Sequence, residues 1–237
     1  MSSIKVLYED NHLIAVFKPS GVLSQGDKTS DISMYDLVKD YIKEKKNKKT
    51  PSNPSGQAGN VFLGLLHRLD RPVSGIILFA KTSKGASRLS EQFRNHDVEK
   101  IYHAIVIGKP AMQKGKLTNF LGKDTKTLKA RNFADGKEAN LYYEIIKFNN
   151  DYSLLKIKLE TGMFHQIRSQ LSLAGFPILG DVKYALPGRS LGVGWERDWN
   201  NSKAIALCAT GLSFYCATED KKVDLSIPIP ESWQKYI

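Results

Sequence analysis

Three short stretches combine reactive residue types with spacing tight enough for them to act together. The first is His67-Arg68-Leu69-Asp70-Arg71-Pro72-Val73-Ser74-Gly75, a carboxylate among guanidinium and imidazole groups. It lies between two apolar runs, Val61–Leu66 and Ile76–Ala80, so its charges sit at the edge of a core, where a charge must be paired or put to use. A carboxylate held there can serve as nucleophile or base, and a nearby cation keeps it ionised. The second stretch is Lys100-Ile101-Tyr102-His103-Ala104-Ile105-Val106-Ile107-Gly108, in which Tyr102 shares a strand face with small neighbours that leave room above its ring. The third is Thr161-Gly162-Met163-Phe164-His165-Gln166-Ile167-Arg168, with Arg168 near the start of a helix. On residue types alone each also has a plain reading: a structural ion pair anchoring a turn, a core tyrosine, and an arginine paired with a neighbouring acid.

The elements that must position these residues can be read from periodicity. Residues 4 to 24 form a hairpin turning at Glu9-Asp10-Asn11 and closed by Pro19 and Gly21. Met34, Leu37, Val38, Tyr41 and Ile42 have helical spacing, with Asp31 or Ser33 available as cap. From Lys46 to Asn60 the composition turns to Lys, Asn, Pro, Ser, Gly and Gln, which reads as a mobile loop inside one domain. Ser83 can cap a helix with Ala86, Leu89 and Phe93 inward and Arg88 and Arg94 outward. The run Val98–Gly108 is apolar on both faces and is expected to be a central strand. Residues 114 to 135 are expected to hold short edge strands and loops. Ala139–Phe148 and Tyr152–Leu159 form a hairpin across Asn149-Asn150-Asp151. Ile167, Leu171 and Ala174 lie on one helical stripe that Gly175 and Pro177 end. Two strands close the chain, Ala204–Thr218 and Val223–Pro230. The class is therefore α+β and strand-rich.

Thirty-five Lys and Arg against 24 Asp and Glu give a net charge of +11, which favours a polyanionic partner. Six of the lysines lie between Lys39 and Lys49, an ordinary solvated run. Arginines near the three stretches say more about a binding face. In the segment 185–202, Trp195 and Trp199 interleave with Arg189 and Arg197, a composition that suits either base stacking or a packed loop. No apolar run approaches the roughly 20 residues of a membrane span, and the start lacks the pattern of a secretory signal, so a cytoplasmic protein is expected. Cys208 and Cys216 lack metal-ligand spacing, no glycine-rich phosphate loop is present, and neither cofactor nor metal is expected.

Taken together the three stretches resemble the signatures of the RluA-type pseudouridine synthases. H-R-L-D-x-x-[TS]-S-G is matched by residues 67–75 with Val73 at the usual hydroxyl position. K-x-Y-x-A-x-V-x-G is matched by residues 100–108. T-G-R-x-H-Q-I-R followed by G-x-P-I-x-G-D is matched from Thr161 to Asp181, with Met163 for the arginine and Phe164 for a small hydroxyl residue. The resemblance runs from Ile4 to Trp233 and implies one catalytic domain over residues 1–237, with no room for the small N-terminal RNA-binding domain that family members often carry. It implies a long, mixed, mostly antiparallel sheet with flanking helices and a central cleft. It implies isomerisation of uridine to pseudouridine in a ribosomal or transfer RNA stem-loop by a cofactor-independent monomer. By resemblance Asp70 is the catalytic carboxylate, Tyr102 lines the site and stacks on the extruded uracil, and Arg168 forms an ion pair with Asp70. The same resemblance implies RNA or substrate contacts at Arg68, His67, Arg71, Lys100, His165, Gln166 and Leu171, with Arg68 filling the space a flipped nucleotide vacates. A glycoside hydrolase would need two carboxylates of unequal pKa, and the signatures supply one. The alternative is a non-catalytic RNA-binding or chaperone descendant, suggested by the departures at Val73, Met163 and Phe164.

Overall fold

The computed structural model describes residues 4–28, 30–49, 61–185 and 204–237. They form two compact units, Met1–Val98 with Ser213–Leu225, and Glu99–Leu212 with Ser226–Ile237.

In the first unit, β1 (Lys5–Glu9) and β2 (Leu13–Lys18) form the expected hairpin. Asp10 closes it, its carboxylate accepting the N–H groups of His12 at 2.7 Å and Leu13 at 2.6 Å. Helix α1 (Met34–Lys49) opens with reciprocal bonds between Ser33 and Asp36, and it buries Met34, Val38 and Ile42. The two-residue strand β3 (Gly64–Leu65) and β4 (Ser74–Ala80) flank the first signature, and β4 pairs antiparallel with both β2 and β3. Leu13–Val16 and Ile76–Ala80 are sealed from solvent, which is why both runs are apolar without alternation. Helix α2 (Ser83–Arg94) is capped by Thr82 rather than Ser83. Thr82 has the extended backbone a cap requires, and its hydroxyl accepts the Gly85 N–H at 3.1 Å; Ser83 is already helical. Arg88 and Arg94 are exposed as expected.

The second unit contains β5 (Glu99–Ile107), β6 (Lys114–Asp124), β7 (Lys129–Asn132), β8 (Lys137–Phe148), β9 (Tyr152–Leu159) and helix α3 (Gln166–Leu173). Its strands lie side by side in the order β5-β9-β8-β6-β7, each pair antiparallel. Residues 114 to 135 depart from expectation. β6 is eleven residues long and pairs with β8 from Lys114 opposite Glu144 to Leu121 opposite Lys137. Its lysines mask the alternation: Lys114, Lys116 and Thr118 face solvent while Gly115, Leu117 and Asn119 turn inward. The chain closes with β10 (Leu207–Tyr215), β11 (Lys222–Ser226) and an unforeseen 3-10 turn at Glu231–Tyr236 that buries Trp233. β10 carries the chain from the second unit into the first at Leu212–Ser213. Lys46–Lys49 extend α1 where a loop was expected; residues 50–60 and the Trp/Arg-rich segment from 186 onward lie outside the described residues.

Candidate active site

Asp70 sits in a turn closed by its own carbonyl, which accepts the Val73 N–H at 3.0 Å. The turn is bound at several points to the segment after β2. Ser24 brackets Leu69, accepting its N–H at 3.0 Å and donating to its carbonyl at 2.7 Å. Ser20 donates to the Pro72 carbonyl, the Gly21 N–H bonds the Arg71 carbonyl at 2.8 Å, and Arg71 Nε returns a bond to the Gly21 carbonyl at 3.0 Å. Gly21 has φ +85°, a left-handed turn that glycine adopts without a Cβ penalty. Val73 is 2% exposed, so the methyl groups that replace the usual hydroxyl are packed into the core.

Beneath the turn lies Lys18, fully buried at the end of β2. Its ammonium donates to the carbonyls of Val22 at 2.7 Å, Pro19 at 3.0 Å and Arg71 at 3.2 Å. Burial pushes its pKa down to about 7, with the Asp70 carboxylate pulling it upward and Arg71 adding to the depression. Lys18 is therefore both a strut across the two turns and a positive charge facing Asp70. Of the other residues expected here, Arg68 is exposed. His67 is half-buried, its Nε2 accepting the Leu78 N–H at 3.0 Å and its ring stacked on Phe93 at 5.2 Å. That ring ties β4 to α2. Arg71 also reaches Asp31 at 2.6 Å.

The second unit positions the other candidates. Tyr102 is 8% exposed on β5, on the same face as Lys100 and Ala104. Lys100 is 9% exposed, and burial alone lowers its pKa. Among the described residues its ammonium has no ion-pair or hydrogen-bond partner. Gly162 lies across from it, and a Cβ built there would meet only Lys100 Nζ, at 3.9 Å. Lys100 thus brings a near-buried cation to the face of β5 that carries Tyr102.

Arg168, in the first turn of α3, is 5% exposed. Within its unit it holds Asp181 in a bidentate pair, Nε to Oδ2 at 2.6 Å and a terminal nitrogen to Oδ1 at 2.8 Å. Asp181 takes two of the five donors a guanidinium offers. It is carried there by residues 177–179, whose backbone bonds Ile105 and Ile107 of β5. Arg168 also lies over the Tyr184 ring at 5.2 Å. Asp70, the partner expected for Arg168, belongs to the first unit.

The remaining expected contacts are interior. Leu171 is fully buried. Gln166 is 3% exposed and saturated: its carbonyl oxygen accepts the Thr161 hydroxyl at 2.9 Å and the Met163 N–H at 3.0 Å, while its amide nitrogen donates to the Asn140 carbonyl and to Gln170. Gln170, fully buried, donates in turn to the carbonyls of Leu117 and Ala139. This amide ladder locks α3 and the loop before it onto β6 and β8. His165 is half-buried with its Nδ1 2.9 Å from the Tyr184 hydroxyl.

The sequence gives no role to Lys18, Gln170 or Tyr184, and none to Asp181 beyond its place at the end of the third signature. A lysine ending the apolar strand Leu13–Lys18 just before Pro19 was the available signal for Lys18, and Gly180-Asp181 for Asp181. Among the described residues no group of three or more His, Cys, Asp or Glu could hold a metal, and no helix is long and apolar enough to cross a membrane.

Comparison with known proteins shows the family. The family of RNA pseudouridylate synthases matches residues 12–173. The chain is similar to the ribosomal large subunit pseudouridine synthase C of Rickettsia prowazekii, 36% identical over 183 residues, 76% of this chain but 55% of that protein. An uncharacterised RNA pseudouridine synthase of Chlorobaculum parvum is 32% identical over 98% of this chain and 72% of its own length. In fold the chain is similar to the human RNA pseudouridylate synthase domain containing 4, with a TM-score of 0.74 at 22% identity, covering 97% of this chain and 90% of that one. The chain belongs to the RNA pseudouridylate synthase family. It spans little more than half the length of several of its curated relatives.

Proposed function

We propose that the chain isomerises uridine to pseudouridine in a structured ribosomal or transfer RNA, with Asp70 as the carboxylate that acts at the sugar. The observation that carries this reading is the Asp70 turn itself, clamped by Ser20, Ser24 and Arg71 and faced by the charge of Lys18. Such clamping holds a carboxylate at the core edge in one geometry.

In the reaction the bond from the ribose anomeric carbon to uracil N1 breaks, and a bond from that carbon to uracil C5 forms. N1 gains a proton and C5 loses one, so the change is redox-neutral. Asp70 acts either as nucleophile on the anomeric carbon or as base on the neighbouring sugar carbon. Tyr102, with small Ala104 beside it, stacks on the detached uracil while it turns. Arg168, fixed by Asp181, supports the charge of Asp70. Lys100 takes an anionic group of the bound nucleotide, and Arg68 fills the gap left in the RNA stack. His67, Gln166 and Leu171 act through positioning, since their polar atoms or side chains are used inside the fold. Residues 1–237 act as one catalytic domain, as a cytoplasmic monomer.

The test is a transcriptome-wide map of pseudouridines in cells with and without the gene, complemented by wild type or Asp70→Ala. We expect one or a few sites to disappear and to return only with wild type. Sites that never change, or that Asp70→Ala restores, refute the catalytic assignment. RNA binding by the purified chain without any lost site would instead identify the non-catalytic descendant.

A further inference from the structure

Phe164 is an aromatic ring presented to solvent on a rigid support. It is 38% exposed and stacks on His165 with centroids 3.8 Å apart and planes 19° apart. His165 is held from behind by Tyr184, edge-on at 5.6 Å, with the hydroxyl 2.9 Å from Nδ1. The Tyr184 hydroxyl also accepts the Ala130 N–H at 2.7 Å, which fixes the ring that holds His165. Burial and the charges of Arg168, Lys183 and Lys123 push the His165 pKa down to about 3, against a smaller pull from Asp181. The support is thus a neutral ring in a fixed orientation. His165 is held at φ 50°, a left-handed backbone that a side-chain-bearing residue seldom adopts. The surrounding contacts enforce it.

The surface around this stack is cationic. Between Lys123 and Arg131 the β6–β7 hairpin carries four cations against Asp124 alone, and Asp124 is paired with Arg131 at 3.2 Å. Lys123 Nζ lies 4.9 Å over the Phe164 ring and Lys129 Nζ 6.0 Å over Tyr184. Arg168 also lies over the Tyr184 ring, 5.2 Å from its centroid. An exposed flat ring with rigid backing, ringed by surplus cations, fits a base with its phosphate better than it fits an apolar protein surface.

We propose that Phe164, backed by His165, is a stacking platform for an unpaired nucleotide of the RNA next to the target uridine, with Lys123 and Lys129 taking its phosphates. The inference rests on the reading that the chain acts on RNA and adds a specificity element to it. It also gives Phe164, where the family carries a small hydroxyl residue, a role in choosing which RNA is bound.

The probe is a fluorescein-labelled single-stranded oligouridine of about eight nucleotides, compared with a duplex of equal length. Stacking of one base predicts that Phe164→Ala weakens oligouridine binding roughly 5- to 150-fold. Phe164→Tyr and Phe164→Trp should bind within about twofold of wild type, and the duplex should bind all four proteins equally. Lys123→Ala should lower the salt slope of oligouridine binding by about one. Phe164→Trp serves independently of any loss of folding in the alanine variant, because its indole emission should be quenched on binding by more than that of wild type, which already carries Trp195, Trp199 and Trp233. Oligouridine affinity of Phe164→Ala within twofold of wild type, indole emission quenched no more than that of wild type, or an equal loss for duplex overturns the platform. None of these readouts depends on turnover, so a failure of the Asp70 assignment would appear only in the pseudouridine map.

Discussion

Asp181→Ala removes one side of a pair in which both partners are nearly sealed, with side chains 6% and 1% exposed. Arg168 would then keep its charge in the interior while losing two charge-assisted hydrogen bonds. Breaking a buried pair from one side costs about 3–5 kcal/mol, most of it the desolvation of the charge left behind. Against a total stability of about 5–15 kcal/mol, this is a fifth or more of what keeps such a protein folded. With a urea m-value of about 2 kcal/mol/M, the unfolding midpoint should fall by roughly 2 M. The double variant Arg168→Met/Asp181→Leu removes both charges and should be more stable than either single variant, because no charge is left uncompensated. Urea titrations of wild type, Asp181→Ala, Arg168→Met, Asp181→Leu and the double variant, followed by circular dichroism, measure both statements. A midpoint shift under about 0.5 M for Asp181→Ala, or a double variant whose loss is the sum of the singles, refutes the claim that this is a desolvated, coupled pair. Asp181→Asn, nearly isosteric, tests orientation. It should lose pseudouridine formation under conditions where it remains folded, since an amide cannot hold the guanidinium from both oxygens.

Lys18 and His165 make opposite ends of the pH profile diagnostic. Lys18 has a folded pKa of about 7 against 10.5 for an ordinary lysine, so above pH 7 the unfolded chain holds a proton that the folded one has released, and stability rises with pH. Between pH 7 and 9 this amounts to about 2 kcal/mol, a rise that Lys18→Met should abolish in urea titrations at the two pH values. His165 has a folded pKa of about 3 against 6.5, so as pH falls from 6.5 toward 3 the unfolded chain takes up a proton that the folded one refuses, and stability drops. His165→Gln should flatten that acid limb in thermal melts; a limb of unchanged slope would show that the ring is already charged in the folded state.

The local elements were legible because their signals are local. Asp10 closing the first hairpin, Met34, Val38 and Ile42 on one helical face, and Gly175 at φ +90° ending α3 each follow from a few neighbouring residues. β6 was read as fragments because its lysines on the solvent face hide a strand whose inward face is Gly115, Leu117 and Asn119. The three signatures located Asp70, Tyr102 and Arg168, yet what holds each of them is remote in sequence. Lys18 reaches Arg71 across 53 residues, and Gln170 reaches Leu117 across the same separation. A side chain committed to distant backbone carbonyls leaves no periodic trace. For the same reason Gln166 could be read as a contact for RNA when its amide is spent on Thr161, Met163 and Asn140.

The placement of buried charge argues against a protein that only binds RNA. Lys18, Lys100 and Arg168 are each at least nine-tenths buried: Lys18 bonds the backbone of Asp70's turn, Lys100 shares Tyr102's strand, and Arg168 lies in the helix of the third signature. Buried charges are expensive, and apolar side chains of similar volume often serve stability as well or better. An RNA-binding surface needs its cations in water, where they meet phosphates, as on the Lys123–Arg131 hairpin. Phosphate affinity therefore does not explain three cations turned inward, and fold stability disfavours them. The proposed reaction would give them a use, because charges held out of water act on a substrate with a strength they lack at the surface. If that is the reason they are kept, replacing Lys100 by Met should leave the urea midpoint unchanged or higher while pseudouridine formation falls by tenfold or more. A variant that unfolds more readily and still modifies RNA at the wild-type rate would assign Lys100 to the scaffold instead.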